Sequence, residues 1–307
     1  MRRLTNSIYL TKVRQMDAAA IAQTRAFNRT AAERIGVLTD QFLGRARPLG
    51  ETRALWEIGP DGLEVRALRA RLGLDSGYAS RVLRALERQR LVTVTASPND
   101  GRVRCARLTK AGLAEYAEIN HRSDAVARSF LEPLSDTQRA RLIAAMTEVE
   151  QLLRASMIIL AVEDPATQDA QRCLTRYFAE LNTRFETGFE AAPALAAALH
   201  DLAAPAGMFL IARLRGEPVG CGGLILYPEA PLIKRMWVAP EARGLGLGRR
   251  LLGELERLAR ETGARTIRLD TNRVLHEAIR LYRSAGYQEV ARFSDEPYAH
   301  HWFEKPL

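Results

Sequence analysis

The chain has 307 residues, 47% of them hydrophobic, which allows a full core and, by length, two ordinary domains. Its apolar runs, such as Met157 to Val162, are far too short to span a bilayer, and Arg2-Arg3 is followed by no apolar leader. Three scattered cysteines, Cys105, Cys173 and Cys221, suggest neither a disulfide framework nor a metal knuckle, so the expected setting is cytoplasmic, with no membrane and no metal. The formal charge of +9 is uneven: 26 Lys and Arg stand against 17 Asp and Glu before Ala155, and 19 against 19 after it, which suggests a polyanion-binding half joined to a neutral one.

From Ile8 to about Arg47, charged and amide residues fall between apolar positions with few breakers until Pro48, which predicts helix in two segments. Leu63, Val65, Leu68 and Leu72 mark a further short helix. The turn Leu72-Gly73-Leu74-Asp75-Ser76 then leads into another helix, whose Ala79, Val82, Leu83 and Leu86 share one face. Leu91 to Thr95 and Val103 to Leu108 read as paired strands around the turn Ser97-Pro98-Asn99-Asp100-Gly101, a hairpin wing. Two more helices follow, the second N-capped by Ser135. Its stripe of Leu142, Ala145, Met146, Val149, Leu152 and Leu153 must be buried against its own domain or a second copy.

Most of the charge excess lies in this segment, with 11 Lys and Arg against 3 Asp and Glu between Arg66 and Lys110. On the second helix of the pair, Arg81 and Arg84 lie opposite the apolar face, and Ser76, Tyr78 and Ser80 stand near its N-terminal end, within reach of base edges and phosphates in a major groove. Arg102 and Arg104 alternate with Val103, so both face away from the core, toward a DNA backbone or minor groove.

Asp75 to Val92, the wing Asp100-Gly101-Arg102 and Leu108-Thr109-Lys110-Ala111-Gly112 together resemble the MarR family of regulators. The resemblance implies a mainly α winged helix-turn-helix domain over residues 1–155. It further implies double-stranded DNA as partner and a homodimer joined through the N- and C-terminal helices. One position departs from the pattern: Arg90 stands where glycine usually precedes the first wing strand. A left-handed non-glycine residue there costs about 1 kcal/mol, so the helix is expected to end differently.

After Met157, short β-rich runs (Met157 to Val162, Met208 to Leu214, Val219 to Tyr227, Leu232 to Val238, Thr266 to Leu269) alternate with helical segments, the mark of an α/β domain over residues 156–307. The fourth run leads into Arg243-Gly244-Leu245-Gly246-Leu247-Gly248, and then a helix through Leu251, Leu255 and Leu258. Glycines let backbone N–H groups approach a pyrophosphate, the helix N-terminus adds its positive dipole end, and Arg243 and Arg249 add charge. By itself such a turn is equally a dinucleotide loop or a plain tight turn.

Arg-x-x-Gly-x-Gly after a strand, followed by Ala278 to Tyr287, resembles the GNAT acetyltransferases, and Pro297 to Lys305 fits that fold's last strand. The resemblance implies a GNAT fold with a mixed central sheet, acetyl-CoA as co-substrate and an amine acceptor. Pantetheine would lie along Leu232 to Val238, with a backbone N–H near Met236 or Trp237 polarising the thioester carbonyl. Tyr282 would protonate the departing thiolate; otherwise it is a buried tyrosine packing on the sheet. Asn272 either bonds the pantetheine arm or is a turn residue. The general base stays open among Glu229, Asp270, His276 and His300, because relatives often carry glutamate where Leu232 stands. Adjacent His300 and His301 point to opposite faces of a strand and suggest no metal site.

The combined expectation is a DNA-binding transcriptional regulator that also acetylates a primary amine, of a small molecule or a lysine. The alternative is a regulator whose transferase fold senses acetyl-CoA or a metabolite without turnover.

Overall fold

The computed structural model describes residues 18–35, 47–97, 101, 103–186 and 188–307. Contacts divide the chain into two compact units, Met1–Arg141 and Leu142–Leu307. The division falls inside one helix, α6 (Asp136–Ser156).

In the first unit, α1 (Ala18–Ile35) is the described part of the long helical stretch; Ile8 to Asp17 and Gly36 to Ala46 lie outside the described residues. There follow α2 (Leu49–Ile58), β1 (Leu63–Glu64), α3 (Val65–Leu72), α4 (Ser76–Arg88), the hairpin β2 (Val92–Ala96) and β3 (Arg104–Leu108), and α5 (Lys110–Leu131). Leu55, Leu68, Leu86 and Ala106 form the centre of a small core. Leu63 does not begin a helix: it and Glu64 pair antiparallel with Ala106 and Cys105, making a third strand beside the wing. That pairing is non-local, and it overrides a spacing that reads as helical.

Arg90 takes the left-handed conformation, at φ 59, so the helix ends as if glycine were there. The Leu91 amide bonds the Leu86 carbonyl at 3.0 Å, the long bond of a Schellman end, and the Thr109 hydroxyl donates to the Arg90 carbonyl at 2.7 Å. These bonds offset the backbone strain. Thr109 also caps α5 by accepting from the Gly112 amide at 3.0 Å. Gly112 is required for space, since a Cβ there would stand 2.0 Å from the Leu91 carbonyl oxygen.

Ser135 and Gln138 form a reciprocal capping box at the start of α6. No residue of α6 is buried: Ile143, Met146, Leu152 and Leu153 are all exposed. The apolar stripe is therefore covered only in part by the described residues of its own chain, with Leu142 and Val149 half-buried.

The second unit is a seven-stranded sheet in the order β4-β5-β6-β7-β8-β10-β9. Its strands are β4 (Ile158–Glu163), β5 (Gly207–Leu214), β6 (Glu217–Ile225), β7 (Leu232–Val238), β8 (Thr266–Thr271), β9 (Gln288–Glu289) and β10 (His301–Pro306). Only β7 and β8 pair parallel, so the sheet is mixed. The helices are α7 (Gln168–Arg184), α8 (Ala191–Asp201), α9 (Leu247–Glu261) and α10 (His276–Ser284). The last strand begins at His301, later than Pro297, and leaves Pro297 to His300 as a loop.

α9 buries Leu247, Leu251, Leu252, Leu255, Leu258 and Ala259 along one stripe. It lies close to the sheet because β6 is glycine-rich. A Cβ on Gly220 would approach the side chains of Leu247 and Leu251 to 3.2 and 3.4 Å, and one on Gly222 would reach Leu255 at 2.9 Å. β6 thereby sets the depth of the helix whose N-terminus carries the glycine turn.

Candidate acyl-transfer site

β7 and β8 pair only at Leu232 with Arg268 and Ile233 with Leu269, then part. A bulge causes the divergence. Arg235 is left-handed at φ 57, and the register of β6 against β7 shifts between Cys221 and Gly223. Beyond the bulge, Trp237 and Val238 still pair with β6, while their other edge faces no strand. The wedge between the parted strands holds two hollows. One is lined by Met236, Trp237, Val238, Arg243, Gly248 and Leu281, the other by Lys234, Arg235, Asp270, Glu296 and Tyr298; Tyr177, Met236 and Tyr282 line both.

The glycine turn sits at the mouth of the first hollow. After a 3-10 turn at Pro240–Ala242, Gly244 and Gly246 take φ 79 and 70, and neither has a neighbour within 4 Å of where a Cβ would be. Backbone conformation, rather than crowding, demands glycine at both. Leu245 and Leu247 are buried and anchor the turn. α9 then starts without a side-chain cap, so the amides of its first turn have neither an intrahelical nor a capping partner. Two arginines expected at phosphates are engaged within the chain. Arg243 donates to the Val238 carbonyl at 3.1 Å and to the Glu180 carboxylate at 2.6 and 2.7 Å, and Arg249 donates to the Ser284 hydroxyl at 2.7 Å.

Tyr282 is 6% exposed and packs near Phe303 and Tyr287. Burial pushes its phenol well above the ordinary tyrosine value, and burial raises Tyr177 to about 12, so both hydroxyls keep their protons at neutral pH. Tyr282 thus packs on the sheet and also lines both hollows of the wedge.

Asn272 acts as a turn residue. Its amide donates to the Tyr298 carbonyl at 2.8 Å and accepts from the Val274 amide at 3.0 Å, tying the end of β8 to the loop before β10.

Among the base candidates, Glu229 is largely exposed beside Arg268, while Asp270 is 5% exposed and accepts from Lys234 Nζ at 2.8 and 2.9 Å. Leu232 is buried in the core. Neither His276 nor His300 lines the wedge.

Three wedge residues escape sequence reasoning. Glu296 accepts from the same Lys234 Nζ at 2.9 Å, from a loop 62 positions along the chain. Glu180 accepts from Trp237 Nε1 at 2.8 Å as well as from Arg243. Tyr177, Glu180, Leu181 and Arg184 recur at the spacing of one helix face, the only signal that would have singled out α7; Glu296 left none.

On the other unit, Asp75 caps α4 by accepting from the Tyr78 amide at 2.9 Å. Ser76, Tyr78, Ser80, Arg81 and Arg84 are all exposed on that helix, as is Arg104 on β3; Arg102 and Asp100 lie outside the described residues. The Ser80 hydroxyl bonds back to the Ser76 carbonyl at 2.8 Å, Tyr78 lies against Gly50 of α2, and the Arg81 guanidinium stacks over the Tyr78 ring. Arg84 is not held in this way.

A mixed sheet parted between its two parallel strands, with a glycine turn on a helix N-terminus at the mouth and a buried tyrosine inside, defines an acyl-CoA-dependent N-acyltransferase. The acetyltransferase (GNAT) family model matches residues 174–287, and the MarR family model matches residues 47–103. The IAA acetyltransferase of Azospirillum brasilense is 39% identical over 115 residues, which are 36% of this chain and 74% of that protein. The N-alpha-acetyltransferase RimI of Mycobacterium tuberculosis is 35% identical over 126 residues, 40% of this chain and 74% of that protein. A solved GNAT-family acetyltransferase from Staphylococcus aureus is 21% identical, spans 49% of this chain and 99% of its own, and superposes with a TM-score of 0.43.

The chain belongs to the GNAT acetyltransferase family. It is an N-acetyltransferase with an acyl-CoA co-substrate, joined to a MarR-family domain in its basic half. Among the described residues no helix is long and apolar enough to cross a membrane.

Proposed function

We propose that the protein transfers the acetyl group of acetyl-CoA to a primary amine, of a small molecule or a lysine, and that its basic half binds double-stranded DNA as a homodimer. The observation that carries the transfer reading is the parting of β7 from β8 directly beside buried Tyr282. An edge of β7 without a strand partner suits an extended pantetheine arm, and the uncapped amides of α9 suit its pyrophosphate.

Bound there, acetyl-CoA supplies an activated thioester. The chain's backbone amides near Met236 and Trp237 polarise the carbonyl and hold its developing negative charge. The amine lone pair forms the C–N bond, and the C–S bond breaks. Tyr282 gives its phenolic proton to the leaving sulfur, and the proton lost by the amine passes to a basic group or water. Val238, Gly244, Leu245, Gly246, Leu247 and Gly248 shape the donor side, while Arg243 and Arg249 remain beside it for the phosphates once their internal bonds exchange.

Support for DNA binding comes from the exposed Ser76, Tyr78, Ser80, Arg81, Arg84 and Arg104, and support for pairing from the exposed apolar stripe of α6. Thiol release across an amine panel tests the transfer. Tyr282→Phe should lower kcat by about 100-fold with acetyl-CoA affinity intact. Silence across the panel, combined with a DNA affinity that responds to acetyl-CoA, would support a sensor instead.

A further inference from the structure

The second hollow has a charge pattern that the transfer reaction alone does not require. Lys234 is clamped by two carboxylates, Asp270 and Glu296, which leaves that trio one negative charge in excess. Its neighbour Arg235 is the opposite case. Its guanidinium lies 5.3 Å from the ring centre of Phe178 and forms no hydrogen bond or ion pair with any described residue, although the side chain is half-buried.

Arg235 is also one of three non-glycine residues described in the left-handed region, at φ 57. That conformation is strained for a residue with a Cβ, and strain of this kind persists where the surroundings impose it, often at a functional site. Arg235 lines the second hollow and the adjoining one next to α8, but not the hollow that reaches Gly248. A free cation here stands away from the phosphate end of the donor. The same hollow is lined by aromatic rings: Phe189 and Tyr298 have ring centres 4.8 Å apart, and Phe185 lies 5.6 Å from Tyr298.

We infer that the acceptor is an α-amino acid with an apolar or aromatic side chain, whose carboxylate is read by Arg235, whose amine lies at Glu296 and whose side chain packs on Phe185, Phe189 and Tyr298. This rests on the transfer reading for its chemistry, but it concerns recognition. A guanidinium with no hydrogen-bond or ion-pair partner among the described residues can supply a charge-assisted, two-point bond to a carboxylate. The excess negative charge beside Lys234 favours the ammonium form on arrival. Glu296, exposed enough to pass a proton to water, takes the amine's proton as the nitrogen lone pair is freed for attack. A polyamine would satisfy the carboxylates but leave Arg235 facing a cation.

The test uses the full chain, with acetyl-CoA and three probes: phenylalanine, phenylethylamine, which lacks the carboxylate, and 3-phenylpropanoate, which lacks the amine. Wild type should prefer phenylalanine over phenylethylamine by about 20-fold in kcat/KM, carried by KM. Arg235→Gln should abolish that preference by raising KM for phenylalanine with kcat little changed, and Arg235→Lys should restore part of it. An unchanged acetyl-CoA titration shows that the variants keep their fold. Equal use of both amines by wild type, or an equal loss on both in Arg235→Gln, overturns the assignment. Should no amine release thiol, the transfer reading falls separately, and calorimetry with 3-phenylpropanoate and CoA still decides recognition. Binding lost in Arg235→Gln supports it, and binding that is absent from wild type or equal in both proteins overturns it.

Discussion

The N-termini of α4 and α9 both follow a turn and both begin a strongly amphipathic helix, yet they are finished in opposite ways. α4 is closed by its own sequence: Asp75 accepts from the Tyr78 amide, and that bond holds the carboxyl below its ordinary value. α9 is left open behind Gly246, with no side chain on its first-turn amides. A carboxylate at a helix start satisfies donors and neutralises the positive end of the dipole, whereas two left-handed glycines leave both available. Helix α4 therefore offers an anion the side chains along its exposed face, whereas α9 offers its backbone end.

Giving α9 the finish of α4 should have the largest effect. Gly246→Asp places a carboxylate on the open amides and should weaken acetyl-CoA binding by at least about 100-fold by calorimetry, with DNA affinity unchanged. An intact acetyl-CoA affinity would show that the turn does not hold the phosphates. Removing charge from the side of α4 comes next. Arg84→Ala should weaken binding to a random duplex by about tenfold and reduce the slope of log affinity against log salt by about one, leaving acetyl-CoA binding alone. A slope identical to wild type would move the DNA face elsewhere.

Uncapping α4 should be milder. Asp75→Ala is expected to destabilise the first unit modestly, read as an earlier melting transition, while thiol release stays unchanged. The smallest effect concerns a pair near the glycine turn. Arg176 donates to the Glu241 carboxylate at 2.9 and 3.0 Å and holds it below the ordinary carboxylate value. A depressed folded value means that the pair's stabilisation is present above the unfolded value and is lost as pH falls through the folded one. Both side chains are about half exposed, so the contribution is at most a few tenths of a kcal/mol. Glu241→Gln should therefore lower stability at neutral pH by no more than that amount, flatten the acid side of the stability curve slightly, and leave stability unchanged below the folded value.

The same contrast explains how much of the molecule was legible in the sequence. The glycine turn, β7 and α9 are local: positive φ calls for glycine, and a 3.6-residue period identifies the buried stripe, so Leu232–Val238 and the helix after Gly246 could be read directly. The wing hairpin was legible for the same reason. Leu63 was not, because its strand exists only through pairing with Ala106. Arg90 was misjudged because what offsets its strain comes from Thr109, nineteen residues away. The acceptor side was the least legible region. Glu180, Glu296 and Tyr177 come from a helix and a distant loop, and their meeting depends on how β7 and β8 part, which no periodicity records.

The corner at Gly112 has a mechanical consequence. The Leu91 carbonyl receives the Thr109 amide at 3.0 Å and sits where a larger residue at position 112 would collide, so the root of the wing and the first turn of α5 are stapled at one point. A tilt of α5 should therefore be felt at the root of the hairpin, whose strand β3 carries Arg104.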